Sequence, residues 1–221
     1  MNLLIIGPQA SGKGTQAENL IEKFGLAHVE MGGLLRRVSK EDSELGNKVR
    51  EVINSGKLLS DELVVEILNQ HLSSLGRLDN ILFDGFPRVL SQAQYFEKFL
   101  EKKGKKLDAV IYLTLPREIT FERLANRRTC GTCGKVFNLK TKPPKKEGVC
   151  DYCGGNLVVR SDETPEKIET RLNEFEAQTL PMVTYLKQKG LVEEIDGNRP
   201  IEIIFADISE RLKKRGLVKN A

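Results

Sequence analysis

Short apolar runs alternate along this chain with longer stretches of helical period. Residues 2–7 (NLLIIG) are apolar and end on glycine, and 80–84 (NILFD) and 108–115 (DAVIYLTL) repeat the theme, with a short strand near 26–30 and a last strand over 191–196. Runs of this length, bounded by turn residues, read as strands buried on both faces of a parallel sheet. Between them, 13–24 carries Ala17, Leu20, Ile21 and Phe24 at helical spacing, and a more polar helical region covers 32–55. Ser60-Asp61-Glu62 offers an N-cap and an acidic first turn for the next helix. Further helices are predicted over 90–103, 117–127 and 200–215. A long helical stretch over 164–189 contains Pro165, tolerated in a first turn, and Pro181, which should kink or split it. Strands alternating with helices predict an α/β fold of three layers, a central parallel sheet with helices on both faces. No internal repeat and no low-complexity segment interrupts the pattern.

The apolar periodicity stops at 128–160, where Gly, Cys, Lys and Pro dominate, which marks an inserted subdomain between two core helices. All four cysteines fall there, as Cys130-x2-Cys133-x16-Cys150-x2-Cys153. Paired CxxC knuckles at this spacing read as a zinc site. Four thiolates close the tetrahedral shell, so the metal is expected to be structural, and zinc rather than iron because nothing else in the chain suggests redox work. A zinc ribbon can also bind nucleic acid, and Lys140, Lys142, Lys145 and Lys146 fit that use. They fit better the solvation of a flap too short to own a core.

Composition narrows the class. The chain has 221 residues, 39% hydrophobic and 30% charged, which fits one domain with insertions. Its 35 basic and 31 acidic residues leave a net charge of +4, too small to argue for nucleic acid. No apolar run reaches membrane-spanning length. The N-terminus lacks the basic region and cleavage site of a signal peptide, so a cytoplasmic location is expected.

Gly7-Pro8-Gln9-Ala10-Ser11-Gly12-Lys13 matches G-x-x-x-x-G-K directly after a strand and before a helix. That is the context in which glycines let backbone amides close around phosphate oxygens. The helix N-terminus adds a favourable dipole, and the lysine adds positive charge. The strict pattern has Ser or Thr directly after the lysine; here Gly14 intervenes and Thr15 follows. Asp84 ends the second apolar run, where an acidic group can hold magnesium through water. On its own it would more readily cap the Gly85-Phe86-Pro87 turn; the phosphate loop beside it favours the magnesium role.

Gly12-Lys13-Gly14-Thr15-Gln16-Ala17, together with Asp84-Gly85-Phe86-Pro87-Arg88, resembles adenylate kinase, and DGFPR is a specific signature of that nucleoside monophosphate kinase family. Matches follow in order at Gly56 to Leu63, Gln92, Arg123, Arg127-Arg128, Arg160-Ser161-Asp162 and Arg171, so the resemblance runs from about residue 1 to about residue 200. It implies a P-loop core over 1–29, 60–125 and 164–221, a helical monophosphate-binding flap over 30–59, and a zinc-binding, ribbon-like lid over 126–163. ATP would be held by Ala10, Ser11, Gly12, Lys13, Gly14 and Thr15, with Arg123, Arg127, Val136, Phe137 and Arg199 around the rest of the nucleotide. AMP would be held by Met31, Arg36, Lys57, Leu58, Leu59, Gly85, Phe86, Pro87, Arg88 and Gln92. Arg160 and Arg171 would reach the acceptor phosphate and the transferring group. The implied catalytic set is Lys13, Asp84, Arg88, Arg127, Arg160 and Arg171. Phosphoryl transfer suits such a set, because it needs in-line positioning and neutralised oxygens rather than covalent help.

Three departures stand out. The family usually reads Ser/Thr-Thr-Gly-Asp where this chain has Glu30-Met31-Gly32-Gly33. A threonine hydroxyl expected near the acceptor is thus Met31, and an expected acid is Gly33. Glu163 stands where a second Asp is usual. The expected activity is transfer from MgATP to AMP, giving two ADP, by a monomer with structural Zn2+ and no nucleic-acid or membrane partner. The alternatives are the same chemistry on another monophosphate, and a P-loop ATPase whose zinc ribbon binds nucleic acid.

Overall fold

The computed structural model describes residues 1–54, 59–159 and 164–218. Five of the apolar runs form one parallel sheet. Its strands are β1 (Asn2–Ile6), β2 (Ala27–Glu30), β3 (Ile81–Asp84), β4 (Ala109–Thr114) and, last in the chain, β8 (Val192–Asp196), in the order β2-β3-β1-β4-β8. Side chains alternate between faces along each strand, and the two cores follow from that. Leu4, Ile6 and Val110 join Val29, Phe83, Leu68, Phe96 and Met182 on one face. Leu3, Ile5, Ile111 and Leu113 join Ala17, Leu20, Ile204 and Ile208 on the other. Helices α1 (Lys13–Phe24) and α9 (Ile201–Lys214) cover the second face.

The first face is covered by α2 (Met31–Val38), α3 (Glu44–Asn54), α4 (Asp61–Leu75), α5 (Leu90–Lys102) and α8 (Leu180–Gln188). The single helical region expected over 32–55 is therefore two helices. Ser43 divides them by accepting the Gly46 N–H at 3.0 Å, a local capping bond that competes with helix continuation. Arg50 ties the intervening turn together through the carbonyls of Ser39 and Glu41. Ser60 caps α4, accepting from Leu63 N at 3.3 Å.

The stretch with Pro181 is split as expected. Helix α7 (Pro165–Glu174) widens into one π-helical segment, Phe175–Thr179, before α8 begins. Proline has no N–H and its ring crowds the carbonyl one turn back, so a wider turn accommodates it. Helix α6 (Arg117–Ala125) ends before the expected residue 127. There Arg127 enters β5 (Arg127–Cys130), whose antiparallel pairing with β6 (Val136–Asn138) and β7 (Leu157–Val158) builds a separate three-stranded sheet.

Candidate active site

The strands of the main sheet end along one edge, and the order reverses around β1, with β3 on one side and β4 on the other. Ligands of open α/β sheets bind at such a switch point. The loop after β1 lies there. Ala10 (φ 58°) and Gly12 (φ 91°) are left-handed, a loop form that brings successive amides to one side. The loop is tightly closed: a Cβ at Gly7 would sit 2.5 Å from Ser11 Oγ and 2.8 Å from the Leu113 carbonyl, so only glycine fits. Ser11 Oγ is buried with no hydrogen-bond partner among the described residues.

Lys13 opens α1. Burial lowers its pKa, opposed by Asp84 and Glu30 and reinforced by Arg88 and Arg127. Residues up to 114 positions apart in sequence thus share one electrostatic neighbourhood. Asp84, 8% exposed at the end of β3, is level with Ile5 and Glu30 in the sheet register. Its Oδ2 lies 3.8 Å from His28 Nε2.

The turn after Asp84 is held by its own side chains. Gly85 is left-handed at φ 79°, Arg88 Nε donates to its carbonyl at 2.8 Å, and Gln92 Oε1 accepts from Arg88 N at 2.9 Å. Phe86 packs edge-on against Phe96 in the core, with Pro87 following in a cis peptide. Leu59, Val89, Gln92, Ala177 and Pro181 line an open cleft of about 480 Å3 beside this turn. Lys57, Leu58 and Arg160 lie outside the described residues.

Three contacts gather distant segments onto the phosphate loop. Arg123 of α6 donates to the Ala10 carbonyl at 3.1 Å and to Asn198 Oδ1 at 3.3 Å. With the Gln9 amide oxygen facing α7, Gln9 accepts from Arg171 Nη1 at 3.0 Å and Nε at 3.3 Å. Gln16 donates to the Ile201 carbonyl at 2.9 Å. Arg199 is committed elsewhere, to Asp207 at 2.7 Å and to the Asp196 carbonyl. The sequence reading gave no role to Gln9, Asn198 or Glu30; only Glu30 carried a signal, since it begins the stretch that departs from the family pattern.

In the smaller sheet, the four cysteine Sγ atoms lie within 4.8 Å of one another, with Cys130–Cys153 at 3.4 Å and Cys133–Cys150 at 3.6 Å. A tetrahedral shell with Zn–S bonds of about 2.3 Å needs sulfurs about 3.8 Å apart, so this donor set fits zinc. The Cys133 backbone N–H favours the Cys130 thiolate and draws its pKa down to about 6. For Cys153 the Gly155 N–H acts the same way, but the neighbouring sulfurs of Cys133 and Cys130 outweigh it and push the thiol up to about 12. Crowded thiols that cannot all ionise together are what a divalent cation relieves. The Phe137 ring is buried against Cys130 and Cys150, while Val136 is exposed.

The adenylate kinase family model matches residues 5–191. An adenylate kinase from Carboxydothermus hydrogenoformans is 43% identical over 97% of this chain and 100% of its own length. One from Caldicellulosiruptor saccharolyticus is 42% identical over 91% and 94%. One from Archaeoglobus fulgidus is 37% identical over 97% and 99%. The chain belongs to the adenylate kinase family. It is a kinase whose relatives support phosphoryl transfer between adenine nucleotides. Within that family the position-31 departure is explained by packing. Met31 is 3% exposed and belongs to the core that includes Leu34 and Val38, so a methionine here extends the apolar anchor of α2.

Proposed function

We propose that the chain transfers the γ-phosphoryl group of MgATP to AMP, giving two ADP, and works as a cytoplasmic monomer. The observation that carries this is the meeting of Lys13, Asp84, Arg88 and Arg127 at the C-terminal edge of the sheet, with the Gln92 cleft beside them.

ATP phosphates lie against the 7–15 loop, whose amides and Lys13 neutralise their oxygens. Lys13 is an eased donor in the free protein, and phosphate charge restores its hold on the proton. Arg36, Arg88 and Gln92, with the 57–59 backbone, take AMP. An AMP phosphate oxygen attacks the γ-phosphorus in line as the bond to the β,γ-bridging oxygen breaks. Arg127, Arg160 and Arg171 spread the charge on the transferring group. Asp84 is the carboxylate that would hold, through water, a magnesium ion brought with ATP, and that ion would add positive charge to the transferring phosphates. Segments 30–59 and 126–163 act as flap and lid, excluding water that would otherwise accept the phosphoryl group. Cys130, Cys133, Cys150 and Cys153 would hold a zinc ion that staples the lid.

The test is initial rate with ATP and each of AMP, CMP, UMP and GMP. AMP should be the best acceptor. A pyrimidine or guanine preference would overturn the acceptor, and ATP hydrolysis stimulated by DNA or RNA would favour the nucleic-acid ATPase instead.

A further inference from the structure

Glu30 ends β2, caps α2 and directs its carboxylate over the first turn of that helix. The side chain makes no capping hydrogen bond. A Cβ at Gly33 would lie 2.2 Å from Glu30 Oε2, and one at Gly32 would lie 2.9 Å from Oε1. The carboxylate therefore occupies the space that a side chain at position 33 would need. Arg36, one turn further on, folds back towards it. Its Nη2 is 3.5 Å from Glu30 Oε2, and its Nη1 would be 3.3 Å from a Cβ at Gly32. Position 33 is glycine, and the residue before Met31 is acidic. The negative charge beside Arg36 therefore comes from the end of the strand. The same charge also favours the protonated form of Lys13.

We infer that Glu30 is a positioning residue of the acceptor site, that it acts by holding Arg36 back along α2, and that Gly33 is present to admit its carboxylate. This rests on the acceptor role proposed above for Arg36. Arg36 is largely exposed, at 69% of its side chain, so without a partner its long chain samples solvent and the fork reaches the phosphate less often. An anion at the first turn of α2 is also favoured by the helix dipole, which keeps the carboxylate in place when Arg36 turns to a ligand. An exposed ion pair is worth up to about 1 kcal/mol, which sets the effect at about two- to fivefold in acceptor affinity.

The experiment compares the parent with Glu30→Gln, Gly33→Ala, the pair Glu30→Gln/Gly33→Ala and the exchange Glu30→Ser/Gly33→Asp. Readouts are KM for AMP, KM for ATP, kcat and Tm. Glu30→Gln and Gly33→Ala should each raise the AMP KM about two- to fivefold. The ATP KM should not follow, and the pair should be no worse than either single change. Gly33→Ala is sterically affordable because it displaces only the flexible end of Glu30. It also improves helix propensity, so a raised AMP KM with an undiminished Tm cannot come from a loosened α2. The exchange should restore the parent's AMP KM by returning the carboxylate from the other side. An unchanged or lowered AMP KM in Glu30→Gln would overturn the inference, as would additive effects in the pair. A parent that does not phosphorylate AMP would instead overturn the proposed function, so the two failures are distinguishable.

Discussion

Lys13 pays for its place in the site with a proton held less firmly than in the unfolded chain, where the ordinary value is 10.5. Between the lowered folded value and 10.5 the unfolded chain binds more protons, so Lys13's contribution to stability rises with pH there. Below that window its buried charge is a cost. Lys13→Met removes the cost and the phosphate contact together. The expected result is a folded protein, with Tm at neutral pH no lower than the parent's, and turnover reduced on the order of 10²-fold, roughly 3 kcal/mol of transition-state stabilisation. A folded variant with near-parental turnover would remove Lys13 from the mechanism. At the same scale, Met31 shows how far a residue can be understood from pattern alone. Where the resemblance expects a threonine hydroxyl near the acceptor nucleotide, Met31 has none, and in the structure its side chain is packed in the core. Met31→Thr should thus lose about 2–4 kcal/mol through a cavity and a buried hydroxyl, read as a drop of several degrees in Tm.

Among the elements, the small sheet β6-β5-β7 depends most on something other than its own apolar packing. Its cluster of buried residues is Cys130, Phe137 and Cys150, with Leu157 against them, too few to hold a fold unaided. Zinc chelation or Cys130→Ser should therefore lower the first melting transition, while activity at low temperature partly survives because no core site residue is a sulfur ligand. Metal analysis should find one zinc per chain; freshly purified protein without zinc or iron would reject the site. The central strands β1, β3 and β4 were legible in sequence because each is a short apolar run buried on both faces, whereas β2 and β8, at the sheet's edges, are only partly buried. Helices α2 and α3 were legible only as one region, because the Ser43 cap that divides them is a local hydrogen bond inside an otherwise helical period. The end of α6 was missed by two residues, since Arg127 and Arg128 are good helix formers whose strand pairing with Asn138 and Phe137 comes from the insertion that follows.

Across the whole molecule, the phosphate loop is wedged between the ends of β4 and β8. A Cβ at Gly197, just past β8, would meet the Thr114 carbonyl at 2.8 Å and the Ser11 carbonyl at 2.9 Å. Both are backbone, which cannot swing aside as a side chain can. Gly197→Ala should push the loop out of register, raising KM for ATP more than KM for AMP with a lowered Tm; equal effects on both substrates would show that the wedge does not set the loop. Such a contact joins positions 186 apart, Ser11 to Gly197, and no periodicity reports it. By itself the sequence determined the strands, most helices, the phosphate loop and the metal-ligand spacing, because each follows from local period or from residue types within a few positions. Tertiary structure alone decided which arginine meets which loop, with Arg123 on Ala10, Arg171 on Gln9 and Arg199 drawn off to Asp207. It also decided that the Glu30 carboxylate lies over the first turn of α2, beside Arg36. Those outcomes depend on strand order and helix packing, which bring charges from separate segments to one edge of the sheet. There the lower dielectric makes their mutual placement count.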